Sequence, residues 1–96
     1  MNKVEIIVKA LDEKMAENIV ALDMEMASPI FDTFILCTAS NERLMQAIRD
    51  NVEEKLEEQG VFVKKIEGLR NRKWLLMDYG ISLFIFLKGK KEILII

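Results

Sequence analysis

Side chains that could catalyse a reaction are scarce in this chain of 96 residues. The sequence contains no His, which excludes Ser-His and Cys-His catalytic pairs and any metal site that uses His. The single Cys, Cys37, lies within an apolar run, so we expect a buried thiol rather than a nucleophile. The carboxylates that could pair for acid–base or metal chemistry are Asp23, Asp32 and Asp78, but they form no compact motif. The four Gly stand apart and form no phosphate-binding loop.

The most distinctive stretch is 70–80, which contains the only Trp and the only Tyr of the chain. If it forms a strand, alternate residues place Trp74, Leu76 and Asp78 on one face and Tyr79 on the other. A basic turn precedes it, and an aromatic anchor beside basic residues is typical of a binding surface. Composition alone favours a core strand after a solvated turn, so both interpretations stay open at this point.

Charge is unevenly distributed along the chain, although the formal net charge is only −2. Residues 1–60 carry 13 acidic and 6 basic side chains, whereas residues 61–96 carry 3 acidic and 8 basic ones. This division predicts one acidic and one basic surface if the fold keeps them apart. The basic part could face phosphate, and the acidic part argues against a general nucleic-acid coat. An apolar content of 51% predicts a globular domain, and no apolar run is long enough to span a membrane.

The hydrophobic pattern predicts two helices and five strands that position these residues. Asn2 caps the first helix, and either Ser40 or Asn41 caps the second, which Gly60 ends. The predicted strands are 19–24, 33–38, 61–67, 74–79 and 81–87, with a loop at 25–32, a basic turn at 88–91 and an apolar piece at 92–96. The order helix-strand-strand-helix-strand-strand-strand predicts an α/β (α+β) fold, in which helices pack on a mixed sheet.

The outward face of the second predicted helix is acidic. Its carboxylates include the pairs Glu53/Glu57 and Glu54/Glu58, whose members repel each other four residues apart by a few tenths of a kcal/mol. A solvated face is the simpler interpretation, and an acidic partner-binding face is the alternative.

Several segments, taken together in order and spacing, resemble the ribosomal silencing factor family, also called Iojap-like proteins. The resemblance covers roughly residues 3–80. The matching segments are Val8-Lys9-Ala10, Asp12-Glu13-Lys14, residues 16–23 and 32–37, Asn41-Glu42-Arg43, Gln46-Ala47-Ile48, Glu67-Gly68, and Trp74-Leu75-Leu76-Met77-Asp78-Tyr79-Gly80. Each segment is weak alone, and the last is the strongest.

The resemblance implies a domain similar in fold to nucleotidyltransferases but without enzymatic activity or a cofactor. It implies binding to the large ribosomal subunit through ribosomal protein L-fourteen, which blocks joining of the small subunit and represses translation under starvation in the cytoplasm. It also allows a homodimer when the protein is free. By analogy with the family, the contact residues are Arg70, Lys73, Trp74, Leu76, Asp78 and Tyr79. Trp74 would be the apolar anchor, Asp78 a hydrogen-bond acceptor, and the two basic residues charge partners.

The chain departs from the family at two places. Position 33, usually aromatic there, is Thr33, and after Gly80 the family's Asp and His are replaced by Ile81 and Ile85. We therefore describe residues 1–96 as a single domain in which 81–96 depart from the family, and hypothesise a reading-frame change after Gly80. A nucleotidyltransferase-like enzyme and a general protein-interaction module remain the alternative functions.

Overall fold

The computed structural model describes residues 2–23, 33–68 and 73–88, which form two helices and a five-stranded mixed sheet. The helices are α1 (Lys3–Glu13) and α2 (Glu42–Glu57), and the strands are β1 (Glu17–Asp23), β2 (Thr33–Ala39), β3 (Lys65–Glu67), β4 (Trp74–Asp78) and β5 (Ser82–Leu87). This order confirms the predicted sequence of elements and the predicted fold class.

Both helices begin at asparagine caps. The Asn2 side chain accepts the Glu5 N–H at 2.9 Å, and the Glu5 carboxylate accepts the Asn2 N–H at 3.1 Å, which completes a capping box. For α2, the alternative between Ser40 and Asn41 is resolved, because the Asn41 side chain accepts the Leu44 N–H at 2.8 Å. These caps fix where each amphipathic helix meets the sheet.

The strand order in the sheet is β1-β2-β5-β4-β3. The strand β5 lies at the centre, parallel to β2 and antiparallel to β4. The strand β3 is shorter than predicted, because Val61 and Val63 pack against the core from an extended segment that precedes the ladder. The first bond to β4 from this segment is the Lys64 N–H donated to the Asp78 carbonyl at 2.7 Å.

The core lies between the two helices and one face of the sheet. Alternate strand residues point into it, for example Ile35, Met77 and Leu83, which are fully buried. The helices are joined by Asn51, whose buried amide donates to the Ala10 carbonyl at 2.9 Å and to the Glu13 carboxylate at 3.0 Å. The amide therefore occupies a core position that the apolar pattern of α2 does not reveal.

Some predictions fall on parts of the chain that the structure does not describe. The predicted loop at 25–32, most of the basic turn including Arg70, and residues 89–96 lie outside the described residues. The same holds for Asp32, so pairs built on this carboxylate stay predictions.

Candidate functional site

The face of the sheet opposite the helices is covered by none of the described elements, and we call it the open sheet face. Its side chains are those that alternate with the buried ones in each strand. The apolar members are Val20, Leu22, Phe34, Leu36, Trp74, Leu76, Phe84 and Phe86. A contiguous apolar surface of this kind marks an interaction site more often than a scattering of single exposed residues does.

Strand register arranges these side chains in rows across the sheet. In the central row, Leu76 faces Phe84, Phe84 faces Leu36, and Leu36 faces Val20. The Phe84 ring stacks on Phe86, with centroids 5.8 Å apart and planes at 8°. The register therefore places apolar residues side by side from β4 to β1, and the row ends on Val20, which is 44% exposed.

Trp74 is positioned by a close approach to Gly68. Gly68 has φ +89°, and a Cβ at this position would lie 2.5 Å from the Trp74 carbonyl oxygen and 2.8 Å from its ring atom Cε3. Only glycine fits there, because any side chain would meet both the backbone and the indole. The indole is thus fixed at the start of β4, next to the basic turn.

Polar groups border the open sheet face along β3 and at the end of β4. The Asp78 Oδ1 accepts the Gly80 N–H at 2.8 Å, which holds the turn between β4 and β5, where Gly80 has φ +86°. Across the ladder, Lys65 is the register partner of Asp78 and forms an ion pair with Glu67 at 3.7 Å. An apolar centre with a charged border is the usual anatomy of a protein-binding surface.

The structure brings together three of the six predicted contact residues. Trp74, Leu76 and Asp78 share the open sheet face, and Lys73 is exposed at the start of β4. Tyr79 lies on the opposite side of the sheet and is 1% exposed, so its ring packs in the core. Arg70 lies outside the described residues, and contact with a partner stays a prediction for the whole set.

Sequence reasoning missed the contribution of the neighbouring strands to this surface. Phe34 and Leu36 on β2, and Phe84 and Phe86 on β5, extend the apolar area well beyond β4. The sequence does contain a signal for this surface, because β2 and β5 carry apolar residues on both of their faces. It could not be used, because the sequence does not show that both helices pack on one side.

Burial raises the pKa of the Cys37 thiol to about 12, so the thiolate that a nucleophile needs is scarce at neutral pH. Within residues 2–23, 33–68 and 73–88, no group of three or more acidic or thiol side chains could hold a metal ion. None of the helices in these ranges is long and apolar enough to cross a membrane.

Two helices packed on one face of a five-stranded mixed sheet define an α/β domain. The family model described as "Ribosomal silencing factor during starvation" matches residues 1–90, and the chain therefore belongs to this family. Members of the family are ribosome-binding factors and not enzymes, which confirms the resemblance and the non-enzymatic role inferred from it.

Individual relatives agree with the family model. The chain is 37% identical over 84 residues to "Ribosomal silencing factor RsfS" of Bacillus subtilis, which covers 86% of this chain and 71% of the relative. It is 36% identical over 85 residues to the protein of the same name from Halalkalibacterium halodurans, which covers 88% and 73%. A crystal structure from Bacillus halodurans superposes with a TM-score of 0.82 at 32% identity, and covers 92% of this chain and 83% of the other.

The segment after Gly80 is part of the folded domain. The family model extends to residue 90, and β5 supplies the buried side chains of Leu83 and Ile85 at the centre of the sheet. A reading-frame change after Gly80 stays a hypothesis, which resequencing of the gene across β5 tests directly.

Proposed function

We propose that this protein binds the large ribosomal subunit through ribosomal protein L-fourteen and thereby prevents the small subunit from joining. By this action it represses translation under starvation, in the cytoplasm. Membership of the silencing factor family supports the ribosomal target. The structural observation that carries the proposal is the open sheet face, with Trp74, Leu76 and Asp78 on it.

The mechanism is steric and requires no catalytic group. Aromatic side chains that are half-buried in the free protein lose their remaining water contact when a partner packs on them, and such residues dominate binding energy. Trp74, Phe84 and Phe86 are placed for this role, with the ring of Phe84 in contact with its neighbour. The charged border formed by Lys65, Glu67 and Lys73 would set the orientation of the partner more than the affinity.

We also propose that the free protein forms a homodimer through the same open sheet face. A flat apolar face can pair with its own copy about a two-fold axis, because such an interface is self-complementary. The dimer would hide Trp74 and Phe84 until a subunit is available. Subunit binding and dimer formation would then compete for one surface.

Co-sedimentation with purified large subunits at micromolar protein and low salt tests the function. We expect the protein in the pellet with large subunits, and fewer joined ribosomes when small subunits are then added. Absence from the pellet would leave only the general protein-interaction module. Pelleting without any effect on joining would refute the steric mechanism.

Two substitutions test the surface. Trp74→Ala and Phe84→Thr each remove an aromatic anchor, and we expect each to weaken subunit binding by about 2 kcal/mol, or roughly thirtyfold in Kd. Asp12→Ala is the control, because Asp12 is exposed on α1, away from the sheet face. Circular dichroism verifies that each variant is folded, and equal binding by all three variants would contradict the site.

A further inference from the structure

A cleft of about 410 Å³ lies between the amino-terminal half of α2 and the start of β4. It lies on the opposite side of β4 from the open sheet face, because Leu75 alternates with Trp74 and Leu76 along the strand. Its volume is in the range of small-molecule sites, about 300–1,000 Å³. The described residues that line the cleft are Glu42, Arg43, Met45, Gln46, Arg49, Gly68 and Leu75.

The inner surface of the cleft is apolar. Met45 and Leu75 line it although they are only 7% and 4% exposed, so the cleft reaches down to the hydrophobic core. Both side chains are held in place by packing within the core. An apolar inner surface with a few polar groups beside it is the usual composition of a ligand pocket. A ligand of this cleft therefore needs an apolar part.

The charges that line the cleft leave one cation uncompensated. Arg49 forms ion pairs with Asp50 at 3.2 Å and with Glu53 at 3.6 Å, so its charge is balanced within α2. Glu42 also has an interaction partner. Within the described part of the chain, no carboxylate forms an ion pair with Arg43. The guanidinium of Arg43 is thus available to a ligand.

A second donor lies next to this guanidinium. Gln46 follows Arg43 by three residues, so the two side chains are neighbours on the surface of α2, and both line the cleft. A guanidinium offers a planar fork of N–H donors, and an amide offers two more. Together they match the two oxygens of a carboxylate. A phosphate monoester, with roughly two negative charges at neutral pH, is less well matched by one available cation with Glu42 nearby.

We propose that this cleft binds a small organic anion in which one carboxylate is attached to an apolar body. The carboxylate accepts hydrogen bonds from Arg43 and Gln46, and the apolar body lies on Met45 and Leu75. Nothing in this assignment depends on the ribosomal function, because the cleft and the open sheet face lie on opposite sides of β4.

Gly68 makes binding in the cleft measurable. Its backbone lines the cleft and also lies close to Trp74, since a Cβ on Gly68 would be 2.8 Å from the indole atom Cε3. Trp74 is the only Trp of the chain. A ligand beside Gly68 should therefore change the fluorescence emission of this single indole.

The experiment titrates the full chain with phenylbutyrate, which carries a carboxylate on an apolar body, and follows the Trp74 emission. Two comparison ligands each lack one half of the probe: phenylbutanol has no charge, and butyrate has no ring. We expect saturable binding of phenylbutyrate, and at least about fivefold weaker binding of each comparison ligand. Unsaturable binding of phenylbutyrate, or equal binding of phenylbutanol, would overturn the proposal.

Arg43→Gln tests the residue that recognises the carboxylate. We expect at least about tenfold weaker binding of phenylbutyrate and unchanged binding of phenylbutanol, because only the charged ligand uses the guanidinium. The matched control is Lys9→Gln, which removes one positive charge from an exposed position on α1 that does not line the cleft. Equal losses in the two variants would show a net-charge effect and refute the site. Circular dichroism verifies that both variants are folded.

Phe84→Thr distinguishes the cleft from the open sheet face, whose aromatic side chains could also attract the ring of the probe. We expect this variant to bind phenylbutyrate as the unmodified protein does. Loss of binding in Phe84→Thr together with full binding in Arg43→Gln would place the probe on the open sheet face and overturn the proposal.

The cleft and the ribosomal function fail in different experiments. Arg43→Gln should retain co-sedimentation with large subunits, because Arg43 is on the other side of the sheet from the open sheet face. If the unmodified protein bound phenylbutyrate but did not co-sediment, the ribosomal function alone would be refuted. Co-sedimentation without phenylbutyrate binding would refute the cleft alone.

Discussion

At the scale of single residues, Gly68 allows the close approach of the backbone to Trp74 at the start of β4. Gly68→Ala would place a methyl group 2.5 Å from the Trp74 carbonyl oxygen, so the start of β4 must shift. We expect a loss of about 1–3 kcal/mol in the free energy of unfolding and a changed emission maximum of the single Trp.

The matched control for Gly68→Ala is Gly60→Ala. Gly60 also has a positive φ, +76°, but a Cβ there would meet nothing within 4 Å. Gly60→Ala adds the backbone strain of a positive φ without a steric collision. We therefore expect a loss of about 1 kcal/mol in the free energy of unfolding and no change in the Trp emission. Identical behaviour of the two variants would show that the contact with Trp74 does not matter.

The Cys37 thiol provides a second residue-scale prediction. Because burial raises its pKa to about 12 and it is 2% exposed, we expect no reaction with a disulfide reagent in the native protein at mildly alkaline pH. One equivalent should react after unfolding in urea. Rapid reaction of the native protein would mean that β2 opens readily.

Predictions about single residues were correct where they depended only on the alternation of side chains along one strand. Alternation along β4 correctly separated Trp74, Leu76 and Asp78 from Tyr79. It could not show that Tyr79 faces the core, because a strand with apolar residues on both sides does not indicate which side the helices cover. That choice depends on contacts between distant parts of the chain.

At the scale of elements, one carboxylate joins three strands at the same end of the sheet. Glu17 at the start of β1 accepts the Ser40 hydroxyl at 2.7 Å, just after β2, and the Lys88 ammonium at 2.9 Å, just after β5. The Ser40 hydrogen bond, followed by the hydrogen bond and charge of Lys88, lowers the pKa of Glu17 below its ordinary value. The ionised form is therefore favoured in the folded protein.

The lowered pKa of Glu17 gives a pH prediction with a definite sign. The stabilisation is present above the ordinary glutamate value of 4.5 and is lost as the pH falls through the lower pKa of the folded state. Glu17→Gln should thus reduce the fall in the free energy of unfolding below pH 4.5, measured by urea denaturation. Asp12→Asn removes one exposed carboxylate as the control, and the same reduction in both variants would contradict the assignment.

The existence and order of all seven elements were predictable, since each has a strong local pattern. The length of β3 was not, because Val61 and Val63 are apolar at strand spacing but precede the ladder. The central place of β5 was also hidden, because strand order depends on pairing between β2 and β5, which are far apart in sequence.

At the scale of the whole molecule, the proposed competition between the dimer and the subunit can be measured. We expect the free protein to sediment as a dimer at micromolar concentration and Phe84→Thr to shift it toward monomer, because the ring lies at the centre of the open sheet face. The double variant Glu54→Gln/Glu57→Gln, which removes two carboxylates from α2 and none from the open sheet face, should remain dimeric. A dimer unaffected by Phe84→Thr would place the self-association elsewhere.

The central position of β5 also determines when the protein can fold during its synthesis. This strand is the last one that the structure describes, yet β2 and β4 both pair with it. Until Leu87 leaves the exit tunnel, β2 and β4 have no common neighbour, and the apolar side of α2 has no complete sheet to cover. The apolar faces of β2, β4 and α2 therefore stay exposed on a nascent chain until almost all described residues are translated. A message truncated within β5 would consequently yield no folded domain at all, rather than a weakened one.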